Sequence, residues 1–362
     1  MKPTPHISQT DIRKGRGSQT NPHNKFFAQR YEETDEAVMA WQQEEEDEPS
    51  RTQFIEIFPK SILSKNNSPD LGFNYSINPY NGCEHGCTYC YARNTHEYWG
   101  YSAGVDFEQK ILVKKNAAQL LEVEFKKKSW NPELIVFSGN TDCYQPAERK
   151  FEITRECLKV FEKYRHPVGM ITKNALILRD LDILRRMNEN NLVGVTISIT
   201  TLREEIRHVM EPRTSTITQR LRTVETLVNA GIPVNVNMAP IIPGINSDEI
   251  FDVVKAVGGL GVESVSYIMV RLNGQIGGIF EEWVNKAFPE RAQKILNQIK
   301  ESHGGTLNES NFATRMRGEG KFAEQVRDVF RLARKKYIHP RNLPPLNFDV
   351  FKREGDEQLR LF

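Results

Sequence analysis

The chain has 362 residues, with 49 Lys and Arg against 47 Asp and Glu and a formal net charge of +2. That length fits one large domain with extensions, or two domains, and the near-neutral balance singles out no highly charged partner. Residues 1–30 lack a signal-peptide core and no apolar run approaches a membrane span, so a soluble, cytoplasmic protein with no membrane partner is expected.

Residues 1–51 are polar and end in the acidic run Glu44-Glu45-Glu46-Asp47-Glu48. Such a segment buries too little apolar surface to order itself, so it is expected to be disordered or draped over the main domain. Gly15-Arg16-Gly17 within it reads as a flexible loop rather than a nucleic-acid contact. From Leu71 onward short apolar runs alternate with amphipathic stretches. Strands are expected at 72–77, 134–137, 168–172, 193–199, 234–238 and 265–270. Helices are expected at 116–127, 147–164, 178–190, 217–230 (closed by Gly231) and 248–257, the last capped by Ser247. Six strands separated by helices imply parallel pairing in an α/β fold, and either an open doubly wound sheet or a barrel satisfies the pattern. Ligands of such sheets sit at the carboxyl ends of the strands.

Beyond 275 come a glycine-containing word at 274–278 and helices at 280–288 and 290–302. A basic stretch then carries Arg315, Arg317, Lys321, Arg327, Arg331, Arg334, Lys335, Lys336 and Arg341, with Phe322, Phe330 and Tyr337 interleaved. Basic residues with aromatics suit nucleic acid, and an amphipathic terminal helix with solvated charges suits the same pattern. Three parts result: a polar extension (1–70), a core (71–275) and a helical basic extension (276–362).

The richest chemistry lies just after the first expected strand. Cys83, Cys87 and Cys90 are three of only five cysteines, in C-x3-C-x2-C spacing. Thiolates favour Fe–S clusters, zinc or Cu(I). No second Cys pair completes a zinc knuckle, whereas three cysteines can hold three irons of a [4Fe–4S] cube and leave the fourth open. A zinc site completed by His85 or His96 and a disulfide are the alternatives.

That spacing, with Tyr89 before the third cysteine, resembles the radical S-adenosylmethionine (radical SAM) superfamily. The words Asn78-Pro79-Tyr80-Asn81-Gly82-Cys83 and Cys87-Thr88-Tyr89-Cys90-Tyr91-Ala92-Arg93 resemble its spore photoproduct lyase-like branch more narrowly. The Gly-Arg-Gly…Asn-Pro opening is similar to that of an uncharacterised bacterial subgroup, which implies packing against the core. The resemblance implies a partial (β/α)6 barrel over 71–271, a [4Fe–4S] cluster, SAM, and an electron donor such as flavodoxin or ferredoxin. The implied activity is reductive cleavage of SAM to a 5′-deoxyadenosyl radical that takes hydrogen from a substrate, a nucleic-acid lesion in the case of the lyase.

The same resemblance implies roles at the strand ends. Tyr89 lies near the SAM adenine, and Ser138, Gly139 and Asn140 take the place of the usual Gly-Gly-Glu word at the SAM amino group. Whether Asp142 replaces the glutamate stays open. Lys173 meets the SAM carboxylate, and Ser198 stands at the ribose or is a plain strand serine. Arg213 clamps a carboxylate or pairs with Glu211, and the turn at 239–244 covers the adenine. Cys143, at a strand mouth, is a candidate hydrogen donor, although the lyase cysteine precedes its Thr/Ser-Asp pair whereas Cys143 follows Thr141-Asp142. Cys157 reads as a core residue. The rival from another class is a non-catalytic Fe–S or zinc-binding regulatory or scaffold protein.

Overall fold

The computed structural model describes residue 7 and residues 13–27, 51–312 and 314–353. The acidic run at 44–48 lies outside the described residues, as do the rest of 28–50 and most of 1–12. The six expected strands are β3 (Tyr75–Ile77), β6 (Ile135–Phe137), β7 (Val168–Thr172), β8 (Val193–Ser198), β9 (Val234–Ile241) and β10 (Ser264–Met269). They pair in parallel and in strict chain order, β3-β6-β7-β8-β9-β10, with the short β2 (Leu63–Lys65) antiparallel on β3. A doubly wound sheet reverses its strand order at a switch point, and this one does not. The order is that of a β/α barrel left unclosed. Its strands bury Val168, Val193, Val195, Val234 and Val236 in one continuous core with Val253, Val254 and Val257 of the helix Ile250–Gly258.

A second, three-stranded sheet lies outside the sequence reading. In it β1 (Gln53–Ile57) runs parallel to β5 (Lys110–Lys114), and β4 (Tyr80–Asn81) runs antiparallel to β5. It matters because β4 leads directly into the cysteines.

The helices follow their local chemistry. Thr216 and Gln219 form a reciprocal capping box at the start of Ile217–Asn229. At its end Gly231 has φ +80°, its N–H bonding Val228 O while Ile232 N bonds Leu227 O, a Schellman closure as expected. The single helix expected at 147–164 is two, Glu148–Phe151 and Ile153–Lys163, split where Glu152 takes φ +52°. The buried Glu148 carboxylate accepts the N–H groups of Thr154 (2.9 Å) and Arg155 (3.3 Å), capping the second helix from within the first. One backbone residue is flipped and the apolar period hardly changes, so periodicity could not show the break. Ser247 does not cap the next helix, because its hydroxyl accepts from Gly244 N instead. The expected turn at 239–244 starts as strand, β9 running on through Pro240 to Ile241.

The basic stretch contains the helix Gly320–Tyr337, which buries Ala323, Val326, Phe330 and Ala333. A Cβ on Gly258 would sit 2.3 Å from Tyr337 O, so this helix lies hard against Ile250–Gly258. Arg315 is paired with Asp70 and Arg341 with Glu263. The helix is amphipathic, with its apolar face packed and Arg327 and Arg331 on the exposed side.

Two buried histidines give the fold a pH signature. His166 stacks on Phe125 at 4.4 Å, and His96 packs between Tyr101 and Phe107. Burial pushes both rings down to about 4 from an ordinary 6.5. The unfolded chain therefore binds more protons between those values. Their contribution, at most about 3 kcal/mol each, is present above pH ~6.5 and lost as pH falls towards 4. The urea midpoint is expected to drop between pH 7 and pH 5, and to drop less in His166→Phe. A midpoint flat across that range contradicts this assignment.

Candidate active site at the barrel mouth

The cysteine loop is held from three directions. After β4, Gly82 turns at φ +79° and Gly86 at φ +67°. Cys83 N bonds Phe107 O at 2.8 Å, while the Gln145 side chain spans Glu84 N and Gly82 O at 3.0 Å each. Thr88 N bonds Met210 O at 3.1 Å. All three thiols are free, with no disulfide, Cys83 and Cys87 buried and Cys90 half-buried. Burial raises all three pKa values, Cys87 to about 12, and neighbouring sulfurs add to the rise at Cys83 and Cys87. Metal loading would therefore displace thiol protons.

Among the described residues no three His, Cys, Asp or Glu side chains converge as ligands of a single ion do. Of the two histidines weighed for zinc, His85 is held between Asp142 (3.4 Å) and Asn174 (3.2 Å), while His96 is packed among aromatics with both ring nitrogens buried and without a hydrogen-bond partner.

Beside the loop lies a buried polar network that the sequence did not single out. Glu211 receives hydrogen bonds from the Tyr89 hydroxyl and Thr200 Oγ1 (2.9 Å) and pairs with Arg220 at 2.5 Å. Arg220 also donates to Ser198 O and Ser215 O at 3.0 Å each. Burial works to raise the Glu211 carboxyl, but Arg220 and Lys173 outweigh it and hold the group at about 2. Lys173, just past β7, stands with its ammonium 5.9 Å from the Tyr89 ring centroid. Burial opposes its charge, but Cys87, Glu211 and Asp142 raise its pKa above the ordinary value. Ser198, the last residue of β8, is buried. Arg213 does not pair with Glu211. It meets Glu84 at 3.3 Å, because Arg220 already fills the Glu211 site.

At the end of β6, Ser138 takes φ +67° and its hydroxyl accepts Cys143 N at 2.9 Å. A Cβ on Gly139 would lie 2.5 Å from Ser76 Cβ, so only glycine fits. The Gly139 carbonyl accepts the Tyr91 hydroxyl at 2.8 Å, and Asn140 is fixed through Asn78 and Thr95. Asp142 is fully engaged, taking Lys173 N, Thr172 Oγ1 and Tyr144 N at 2.8–2.9 Å besides His85. Burial is outweighed and its pKa stays at about 2. With its oxygens so occupied, Asp142 organises the rim. Cys143 is not at the open mouth: it is wholly buried in the main core with Cys157, and burial raises its pKa strongly.

The N-terminal segment also belongs to the site's walls. Residues 13–27 form a strap rather than a loose loop. Gly17 N and Ser18 N donate to the buried Glu108 carboxylate at 3.1 and 2.8 Å, and Arg16 donates to Glu108 O. A Cβ on Gly17 would lie 1.6 Å from Gly86 O, inside the cysteine loop. Glu108 also pairs with Arg93 at 2.5 Å, and Arg93 Nε donates to Cys87 O at 3.0 Å.

Fold and site together define an unclosed β/α barrel with a trithiol cluster loop after its first strand. Residues 77–257 match the model of the Radical SAM superfamily, and the chain belongs to that superfamily. An uncharacterised protein of Mycobacterium tuberculosis is 32% identical over 243 residues, covering 66% of this chain and 71% of that one. One of Methanocaldococcus jannaschii is 27% identical over 249 residues, 69% and 89% of the two chains. Among solved structures, spore photoproduct lyase complexed with dinucleoside spore photoproduct superposes with a TM-score of 0.58 at 16% identity, covering 78% and 79% of the chains. A mutant of that lyase with bound AdoMet superposes equally well. At that identity the likeness concerns the fold.

The Glu211–Arg220 pair is testable by itself. Removing one partner of a buried ion pair strands the other charge and costs about 3–5 kcal/mol. Arg220→Met should lose that much in chemical denaturation, and Arg220→Met with Glu211→Leu should recover a large part of it. Strictly additive losses would mean that the two residues do not act as a pair.

Proposed function

We propose that this chain is a radical SAM enzyme that binds a [4Fe–4S] cluster through Cys83, Cys87 and Cys90 and acts on a substrate at the carboxyl rim of the barrel. The observation that carries the reading is the set of three free thiols on one tightly held loop at that rim, beside a lysine. When bound and reduced, the cluster and SAM supply a 5′-deoxyadenosyl radical that abstracts hydrogen. The protein's part is to bind, orient and exclude water. Lys173 offers a compact cation to the SAM carboxylate, and Ser138, Gly139 and Asn140 present a fixed edge to its amino group. Tyr89, pinned to Glu211, forms a rigid wall for the adenine, with Ser198 beside the ribose. Arg213, tied to Glu84, keeps only part of its guanidinium for a ligand. An acidic single-electron carrier such as flavodoxin or ferredoxin is the proposed reductant.

A nucleic-acid lesion as substrate is the second reading, favoured by the fold shared with a lyase that binds a dinucleoside photoproduct. Cys143 we read as a packing residue, because a hydrogen donor must reach the substrate radical and this thiol is sealed in the core.

Anaerobically reconstituted protein should bind about four irons per chain and release 5′-deoxyadenosine from SAM with dithionite. Cys83→Ala, Cys87→Ala and Cys90→Ala should each abolish release. One tetrahedral zinc and no cleavage would favour the regulatory or scaffold alternative. Cys143→Ala should keep cleavage and product yield while losing about 1–3 kcal/mol in urea, much as Cys157→Ala should. Altered products from Cys143→Ala with an intact fold would restore its chemical role.

A further inference from the structure

One cation at the rim has no assigned task. Arg271 lies two residues past the end of β10, on the same carboxyl side as the cysteine loop. The segment carrying it is locked to the helix that follows Cys90. Asn94 donates to Asn273 O at 2.9 Å and accepts Gln275 N at 3.1 Å, and Gly274 turns at φ +59° so close that a Cβ would lie 2.8 Å from Asn94 Oδ1. Met269 N bonds Met316 O, and Leu272 N bonds Leu307 O, which fixes the other side. Arg271 is thus held rigidly between the last barrel strand and the Tyr91–Trp99 helix.

Its guanidinium is half-buried and short of acceptors. Nε is buried without a hydrogen-bond partner, and the Nη1 contact is a thioether, Met316 Sδ at 3.7 Å. The nearby carboxylate, Asp70, is bound by both Nε and Nη2 of Arg315, which leaves its charge largely spent. Burial and Arg315 both disfavour the Arg271 cation, and Asp70 offsets them only in part. Arginine does not escape by losing its proton, so a guanidinium so placed calls for an anion. Tyr91, 55% exposed and next to Cys90 in the chain, lies close enough to act on the Arg271 charge.

We propose that Arg271 anchors an oxyanion carried by the substrate, a phosphate or a carboxylate, gripped through its planar N–H fork. This rests on the radical SAM reading only in calling the bound molecule a substrate. A bidentate grip at the end of β10 would orient one end of that molecule while its reacting carbon lies toward the cysteine loop.

The test uses the full chain, reconstituted anaerobically, with inorganic phosphate and acetate as probes and chloride holding ionic strength constant. Phosphate binding is read by 31P line width, acetate by 13C line width. Saturable binding is expected in wild type, weakened about tenfold or more in Arg271→Gln. Arg271→Lys, which keeps charge and stem, should retain part of it and guards against a folding artefact. Preference for phosphate points to a phosphate ester, preference for acetate to a carboxylic acid. No saturable binding of either anion, or equal affinity in Arg271→Gln, overturns the proposal. SAM cleavage by the same samples reports on the enzyme reading alone: binding without cleavage defeats that reading, and cleavage without binding defeats this one.

Discussion

The arrangement at the mouth depends on one buried carboxylate, Glu108, and on the donors that surround it. A buried anion is tolerated only when its lone pairs are filled. Here Arg93 supplies the counter-charge and the N–H groups of Gly17 and Ser18 supply the rest. Two of these donors are tied to the cysteine loop. Arg93 reaches on to the Cys87 carbonyl, and Gly17 lies against Gly86 with no room for a Cβ. One carboxylate therefore binds the back of the loop to the N-terminal strap. Glu211 does the corresponding work on the other side through Tyr89 and Arg220. A loop of three thiols would otherwise be a flexible polar excursion. Clamped between two buried ion pairs it keeps a fixed shape.

The barrel was legible from the sequence because its signal is local. Runs such as Val168-Gly169-Met170-Ile171-Thr172 and Val193-Gly194-Val195-Thr196-Ile197 bury alternate residues fully and their neighbours partly, and each is followed by an amphipathic stretch. The cysteine loop was legible because its chemistry is compressed into eight residues. That the strap packs against the core was legible only through the resemblance of its Gly-Arg-Gly…Asn-Pro opening; its partner was not, since the word gains its meaning from Glu108, some ninety residues on in the chain. Glu211 was passed over for a similar reason. Its partner Arg220 lies on a different helix, and the nearer Arg213 was the obvious match by sequence distance. Cys143 presents the opposite case, a residue beside a rim motif whose side chain is buried in the core.

The two sides of the rim differ in how far their polar groups are satisfied within the protein. Along β6 to β8, Asp142, Glu211, Ser138 and Asn174 are almost wholly consumed by internal hydrogen bonds. Such saturation makes a rigid edge, which suits a cofactor that must be held the same way at every turnover. Across the opening, beyond β10, a guanidinium keeps a buried Nε without a hydrogen-bond partner and a tyrosine ring stands half in solvent. Unspent polarity is costly to maintain in a folded protein, and it persists where a ligand completes it in use. The contrast divides the mouth by chemistry alone: a finished half facing β6 to β8, and an unfinished half after β10 that only a bound anion would complete.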